Sequence, residues 1–233
     1  MGILSRLKKL FAGRKEKNVY LERLGQVQVQ ARDGYKLVSY EKDGVFDYET
    51  YRRVQEEGNK RKLTSVFVLE NVIRGIAEYA QAKGPVRHVL CHGTRNAAEQ
   101  GYFRAAIPGL AEVIGTEISE TATQFPDTIQ WDFHEMNPDW AERFDIVYSN
   151  SWDHSYDPEK LFSVWVSCVA KGGIMALEHT SRHEPKAVNA LDPFGITESG
   201  LRDLVCKQTG MSHETTLSFP GKRERHILIF RKT

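Results

Sequence analysis

This chain has almost no surplus of either charge. Its 32 Lys and Arg stand against 31 Asp and Glu, a formal net charge of +1 over 233 residues. No global field therefore draws it toward nucleic acid or acidic substrates. Cysteine is scarce: Cys91, Cys168 and Cys206 are an odd number, sit in apolar surroundings and form no CxxC pair. That argues against a disulfide framework and fits a reducing compartment. No apolar run approaches the length of a membrane span. The first residues lack the cleavage site of a signal peptide. In MGILSR, Arg6 stands where a myristoylation pattern needs Ser or Thr. Internal repeats and low-complexity stretches are missing as well. The remaining composition, 40% hydrophobic and 27% charged, is that of a globular protein at a length suiting one generous domain or a domain with an N-terminal extension. The expected location is cytoplasmic.

In residues 1–17, Ile3, Leu4, Leu7, Leu10 and Phe11 fall on one helical face. Arg6, Lys8, Lys9, Arg14, Lys15 and Lys17 fill the rest. A basic amphipathic helix of this kind can lie on an anionic membrane surface, here the inner face; a self-packed terminus is the plainer alternative. Residues 18–84 form a second unit. QVQVQARDGYKLVSYE, Gln26 to Glu41, alternates around Asp33-Gly34 and predicts a β-hairpin. Asp47 to Lys62 predicts a polar helix whose basic end, Asn59 to Lys62, reads as a solvated face. A second helix is expected from Thr64, as its cap, to Ala82, stopped by Lys83-Gly84-Pro85.

Residues 85–233 are more regular. Short apolar runs alternate with helical patterns: VRHVLCHG, AAEQGYFRAAI, AEVIGTEIS, DTIQWDF, FDIVYSNS, PEKLFSVWVSCVAKGG, IMALEH and ESGLRDLVCKQTG. ETTLSF and RHILIFRK close the chain around Pro220-Gly221, as a hairpin forming an antiparallel edge. The expected fold is α/β, a three-layer Rossmann-like sheet, mostly parallel with an antiparallel C-terminal strand, plus the N-terminal hairpin and helices.

In such a sheet ligands bind beyond the C-terminal ends of the strands. His92, Gly93, Thr94, Arg95 and Asn96 follow the first strand. Glu117, Ile118 and Ser119 end the second, Asp132 and Phe133 the third, Asn150 to His154 the fourth, and Glu178 and His179 the fifth. A dinucleotide loop needs a second glycine for pyrophosphate; Arg95, Asn96 and Ala97 stand there instead, which disfavours a nicotinamide oxidoreductase. A Walker loop is excluded, since no Gly-Lys-Ser/Thr follows. One glycine still admits a nucleoside without a diphosphate. Glu117 can accept ribose hydroxyls, and Asp132 with Phe133 can hold adenine, a pattern that suits S-adenosylmethionine.

On these segments, above all FDIVYSNSWDHSYDPEKLFSVWVSCVAKGGIMALEH, the chain from about Val86 to Lys232 resembles the class I, Rossmann-like S-adenosylmethionine-dependent methyltransferases. It departs from them at the glycine loop, where the family has several glycines and a preceding acid and this chain has His92 before Gly93. The resemblance implies S-adenosyl-L-methionine as cofactor. His92, Gly93, Thr94, Arg95, Asn96, Glu117, Ile118, Asp132, Phe133, Asn150 and Ser151 are the candidate cofactor contacts, with Arg95 placed to pair with the carboxylate of the methionine tail.

Methyl transfer to a hydroxyl needs positioning and a base. His154, oriented by Asp153 or Asp157, is the candidate base. The acceptor expected is a hydroxyl on a small molecule, sugar or glycan precursor, with no nucleic acid partner. The bland reading of His154 is a turn-capping histidine. His179, His183, Glu178, Asp153 and His154 invite a metal site, but EHTSRHEP lacks ligand spacing, and no metal is expected. No GxSxG elbow surrounds Ser151, and Cys91 reads as core. Trp131, Trp140, Trp152 and Trp165 read as core or wall, with Trp152 a candidate for the acceptor pocket. The alternative function is a non-catalytic nucleoside-binding or protein-interaction module on a degenerate methyltransferase fold.

Overall fold

The computed structural model describes residues 28–32 and 34–233; the basic segment 1–17 lies outside them. Strands β1 (Gln28–Arg32) and β2 (Tyr35–Ser39) form the expected hairpin, with Gly34 at φ 81° in its turn. A two-residue ladder, β3 (Glu41–Lys42) with β4 (Val45–Phe46), leads into helix α1 (Tyr48–Arg61). Asp47 caps α1 by accepting from the Thr50 amide at 3.0 Å. Helix α2 spans Glu70–Gln81, not Thr64–Ala82. The start is delayed because the 63–65 carbonyls face another partner. The Asn96 amide donates to the Leu63 and Ser65 carbonyls at 3.0 and 3.1 Å, and the Arg95 guanidinium covers the Phe67 ring at 4.8 Å.

From there the chain alternates as expected: β5 (His88–His92), α3 (Ala98–Ala106), β6 (Glu112–Glu117), β7 (Thr128–Gln130), β8 (Phe144–Ser149), α4 (Pro158–Cys168) and β9 (Val169–His179). Helix α4 ends at Cys168 and not at the glycines. Val169 pairs with Phe144 and is buried, so this β-branched residue already belongs to the sheet. A short strand, β10 (Phe194–Ile196), was not evident in the sequence. It pairs with β2 and makes a separate three-stranded sheet. Helix α5 (Glu198–Thr209) is closed by Gly210 at φ 70° and leads to β11 (Ser212–Phe219) and β12 (Arg225–Arg231).

The main sheet has the order β11-β12-β9-β8-β5-β6-β7. Neighbours from β7 to β9 are parallel, and β12 is antiparallel to both β9 and β11. The reversed strand is therefore second from the edge, and β11 at the edge runs with the rest. Burial explains this: Ile227 to Phe230 are all buried, so β12 needs neighbours on both sides, whereas β11 is half exposed throughout.

Strand alternation builds three layers. Val89, Ile146, Ile174, Ala176, Ile227 and Ile229 face α2 and α3, meeting Ile73, Ile76 and Phe103. Leu90, Val147, Met175, Leu177 and Leu228 face α4 and α5, meeting Leu161, Trp165 and Leu201. Each Val, Leu, Ile, Met or Phe among them gains about 1.5–3 kcal/mol by leaving water. A smaller cluster of Val38, Tyr40, Tyr51, Val54 and Ala190 ties the N-terminal hairpin and α1 to the loop after β9. Tyr40 donates to the Ala190 carbonyl, and Gln55 Nε2 to that of Leu191 at 3.0 Å. Helix α1 and this loop form a cap beside the C-terminal ends of the parallel strands. Among the described residues no helix is long and apolar enough to cross a membrane.

Candidate active site

The strand order reverses between β5 and β8, and ligands of open α/β sheets bind beyond such a point. Here Gly93 has φ 72°, the left-handed region, and a Cβ on it would lie 2.8 Å from Ser151 Cβ. Glycine alone fits where these two loops meet. Two cavities open beside the contact, with about 490 and 1250 Å³ of empty space. They share Gly93, Arg95, Ser151 and His154.

The smaller cavity is lined by Glu117, Ile118, Asp132 and Phe133 and covered by Tyr51, Gln55 and Asn59 of α1 and by Leu191. Burial pushes the Glu117 carboxyl up to about 7, against the Ser119 amide, which donates to it at 2.8 Å, and Arg95. Asp132 accepts from the Tyr48 hydroxyl at 2.8 Å, from the His134 amide at 2.9 Å and from His134 Nδ1 at 2.8 Å. Burial raises its pKa, but His134 and Tyr48 outweigh that and hold it below the usual range. Burial lowers the pKa of His134, which is therefore neutral with its proton on Nδ1. Its Nε2 then accepts from the Ser155 hydroxyl at 2.8 Å, and Ser155 Oγ accepts from the Asp157 amide. Asp132 is thus an ionised acceptor at the cavity wall.

His154 stands on the wall common to both cavities. The amide orientation of Gln55 is fixed because its Nε2 donates to Leu191, so its Oε1 faces His154 Nδ1 at 2.7 Å. That nitrogen carries the proton, and Nε2 presents a lone pair, with Asp192 Oδ1 3.4 Å away. Burial pulls the imidazole down to about 4; Asp192 pulls upward, and Arg95 and Lys62 pull downward. The ring is neutral near pH 7, and a proton gained at Nε2 would face a carboxylate.

Other candidates lie elsewhere. His92 stacks on Trp165 at 4.5 Å, contacts Thr116 Oγ1 through Nδ1 and lines neither cavity; burial pushes its pKa down to about 3. Thr94 is buried, its hydroxyl lies 2.7 Å from a Glu99 carboxyl oxygen and 2.9 Å from the Gln100 amide oxygen, and it lines neither cavity. Asn96 and Asn150 line the larger cavity, where the Asn96 amide also pins the 63–65 carbonyls. Arg95 lines both and donates to Asn59 Oδ1 at 3.1 Å. The two aspartates expected to orient His154 are engaged away from it. Asp153 Oδ2 lies 3.7 Å from His183 Nε2, and Asp157 caps α4 through the Lys160 amide. Gln55 and Asp192 take that place. The basic run after Asn59 is only partly a solvated face: Asn59 is buried against Thr121, and Lys62 lines the larger cavity.

His183 Nδ1 accepts from the Thr180 amide, His179 Nε2 donates to the Ile196 carbonyl, and Glu178 pairs with Arg225. Among the described residues no three His, Cys, Asp or Glu side chains are grouped to hold a metal ion. Cys91 is buried in the sheet, and burial pushes its thiol well up. Trp152 is core, donating to the Glu178 carbonyl at 2.7 Å, and lines neither cavity. Tyr51, Gln55, Asn59, His134, Leu191 and Asp192 were not singled out in the sequence. The polar face of α1 carries a signal there, as Tyr51, Gln55 and Asn59 recur every four residues.

No protein-family model and no curated protein matches the chain. Solved structures do. A 1,6-didemethyltoxoflavin-N1-methyltransferase of Burkholderia thailandensis, with bound 1,6-didemethyltoxoflavin and S-adenosylhomocysteine, aligns at TM-score 0.61 and 14% identity over 88% of this chain and 99% of its own. The N-methyltransferase NodS of Bradyrhizobium japonicum WM9, in complex with S-adenosylhomocysteine, aligns at TM-score 0.58 and 12% identity over 76% of this chain and 98% of its own. The [4+2]-cyclase SpnF aligns at TM-score 0.54 and 12% identity over 70% of this chain and 80% of its own. The chain has the class I methyltransferase fold.

Proposed function

We propose that the protein is an S-adenosylmethionine-dependent methyltransferase acting on a hydroxyl of a small molecule, sugar or glycan precursor. The observation that carries this reading is the pair of cavities meeting at Gly93 and Ser151 with His154 on their common wall. The smaller one fits the cofactor by its donor set. Glu117 is an acceptor for ribose hydroxyls, and Asp132, Phe133 and Ile118 form an adenine seat. Gly93 gives backbone access, and Arg95 is the cation for a carboxylate tail. When bound, S-adenosylmethionine supplies a methyl group on a sulfonium, open to in-line displacement. His154 Nε2 takes the acceptor's hydroxyl proton, Gln55 fixes the ring through Nδ1, and Asp192 stabilises the imidazolium that results. The surrounding side chains exclude water and align the acceptor.

Calorimetry with S-adenosylmethionine and S-adenosylhomocysteine is the test. Micromolar binding of both is expected; binding of neither overturns the reading. A second reading, a nucleoside-binding fold without methyl transfer, draws on the glycine loop, where Arg95 and Asn96 are tied to Asn59 and to Leu63 and Ser65. The fold likeness to a protein named as a cyclase points the same way. Binding of S-adenosylhomocysteine without turnover across a panel of hydroxyl acceptors would favour it. A membrane-surface role for residues 1–17 rests on their sequence pattern alone. Unchanged vesicle partitioning after their deletion would remove it.

A further inference from the structure

We infer that the acceptor bound in the larger cavity carries an anionic group of the phosphate type, held at the rim by Arg182 and Arg223 while its hydroxyl points inward to His154. This rests on the methyltransferase reading for the inward end only. The cavity wall holds five cations: Lys62, Arg95, Arg182, Arg223 and Arg225. Arg225 is matched by Glu178. None of the other four forms an ion pair with a carboxylate among the described residues, in a protein whose charges otherwise balance.

The carboxyls on the same wall do little to offset them. Burial raises the pKa of Glu99 and pushes that of Asp153 well above its usual value, which weakens both as counter-charges. Asp192 is ionised but lies beside His154. Arg95, on the wall shared with the smaller cavity, belongs to the inward end, where the methyltransferase reading pairs it with the cofactor's carboxylate. That leaves Lys62 inside, with its pKa lowered by burial, and two exposed arginines outside.

The arginines come from separate elements, Arg182 from the loop after β9 and Arg223 from the turn between β11 and β12. Two planar guanidinium forks brought to one cavity wall from two loops suit a phosphate better than a single carboxylate.

The test starts from the full chain saturated with S-adenosylhomocysteine, whose own titration is recorded first. Phenyl phosphate, inorganic pyrophosphate, phenyl β-glucoside and phosphatidylcholine vesicles with or without phosphatidic acid are then titrated in. Saturable binding of a phosphate probe, weakened about tenfold or more in Arg182→Gln/Arg223→Gln with S-adenosylhomocysteine affinity retained, is expected. Binding of the soluble phosphates assigns a free phosphorylated acceptor; binding only of phosphatidic acid vesicles assigns a headgroup. Binding of the glucoside alone, of no probe, or equal binding by the double variant overturns the inference. Failure of the S-adenosylhomocysteine titration with phosphate binding intact would remove the cofactor reading and leave the anion site standing.

Discussion

Aromatic and aliphatic side chains, Tyr51, Phe133, Ile118 and Leu191, enclose the smaller cavity, and its two carboxyls have contrasting states. Glu117 is lifted to about 7 by burial, while Asp132 is held ionised by three donors. The larger cavity is wider, more polar and rich in cations without carboxylate partners. On the proposed reading the smaller takes the cofactor's ring and diol, and the larger takes a charged, hydroxylated acceptor. His154 belongs to both, so removing it should separate the two most sharply. For His154→Ala we expect kcat to fall by roughly 10²–10⁴, the range for loss of a general base. S-adenosylhomocysteine affinity should stay within about twofold. An equal loss in binding and turnover would make His154 a structural residue.

The pH dependence sharpens the same contrast. His154 faces Gln55, Asp192, Lys62 and Arg95, and its pKa of about 4 means the base is unprotonated throughout the neutral range. At saturating S-adenosylmethionine the rate should therefore show no histidine limb between about pH 5 and 8 and should fall toward pH 4. Lys62→Met removes a cation that opposes protonation, so the acid limb should move up. Asp192→Asn removes the group that favours protonation, so it should move down. A wild-type limb near 6.5 would show that the imidazole is solvated in solution.

How much of this the sequence could disclose follows from which contacts are local. The parallel strands were legible because their apolar runs are buried on both faces, as in Ile174 to Leu177. Glu117 and Asp132 were legible because a residue ending a strand must face the crevice. Asp192 was not: it reaches His154 from a loop beyond β9 whose path depends on β10 joining the hairpin sheet, a three-residue pairing with no periodic signal. Gln55 was hidden because a polar residue on a polar helix reads as solvated until its partner is known. The delayed start of α2 has the same origin, since the Asn96 amide holds carbonyls that a helix would use.

In the smaller cavity the effect expected is a gradient with pH. Glu117 has a raised folded-state pKa, about 7 against its usual 4.5, so the free protein binds its proton more tightly than the unfolded chain does. The stability this confers is fully present below 4.5 and is lost as pH rises through 7. Glu117→Gln should therefore gain melting temperature relative to wild type as pH goes from 5 to 8. Ribose hydroxyls donate to the ionised form, so wild-type affinity for S-adenosylhomocysteine should rise across pH 6 to 8 with proton release. Calorimetry in buffers of different ionisation enthalpy measures that release. A pH-independent affinity would place the ribose elsewhere.

The smallest effect belongs to the larger cavity. Asp153 is buried, its Oδ1 has no partner, and burial, reinforced by Asp192, pushes its carboxyl well above the usual range. A neutral acid and an asparagine have nearly the same size and charge. Asp153→Asn should therefore change kcat by less than about threefold and stability by no more than about 0.5 kcal/mol. Asp192→Asn, which removes a true negative charge beside His154, should cost more in kcat. The reverse order would mean that Asp153 is ionised and that the larger cavity is far less cationic than its wall implies. In that case His183, whose Nε2 lies 3.7 Å away, would carry the opposing charge, and a histidine signal sensitive to Asp153→Asn would appear in the NMR titration.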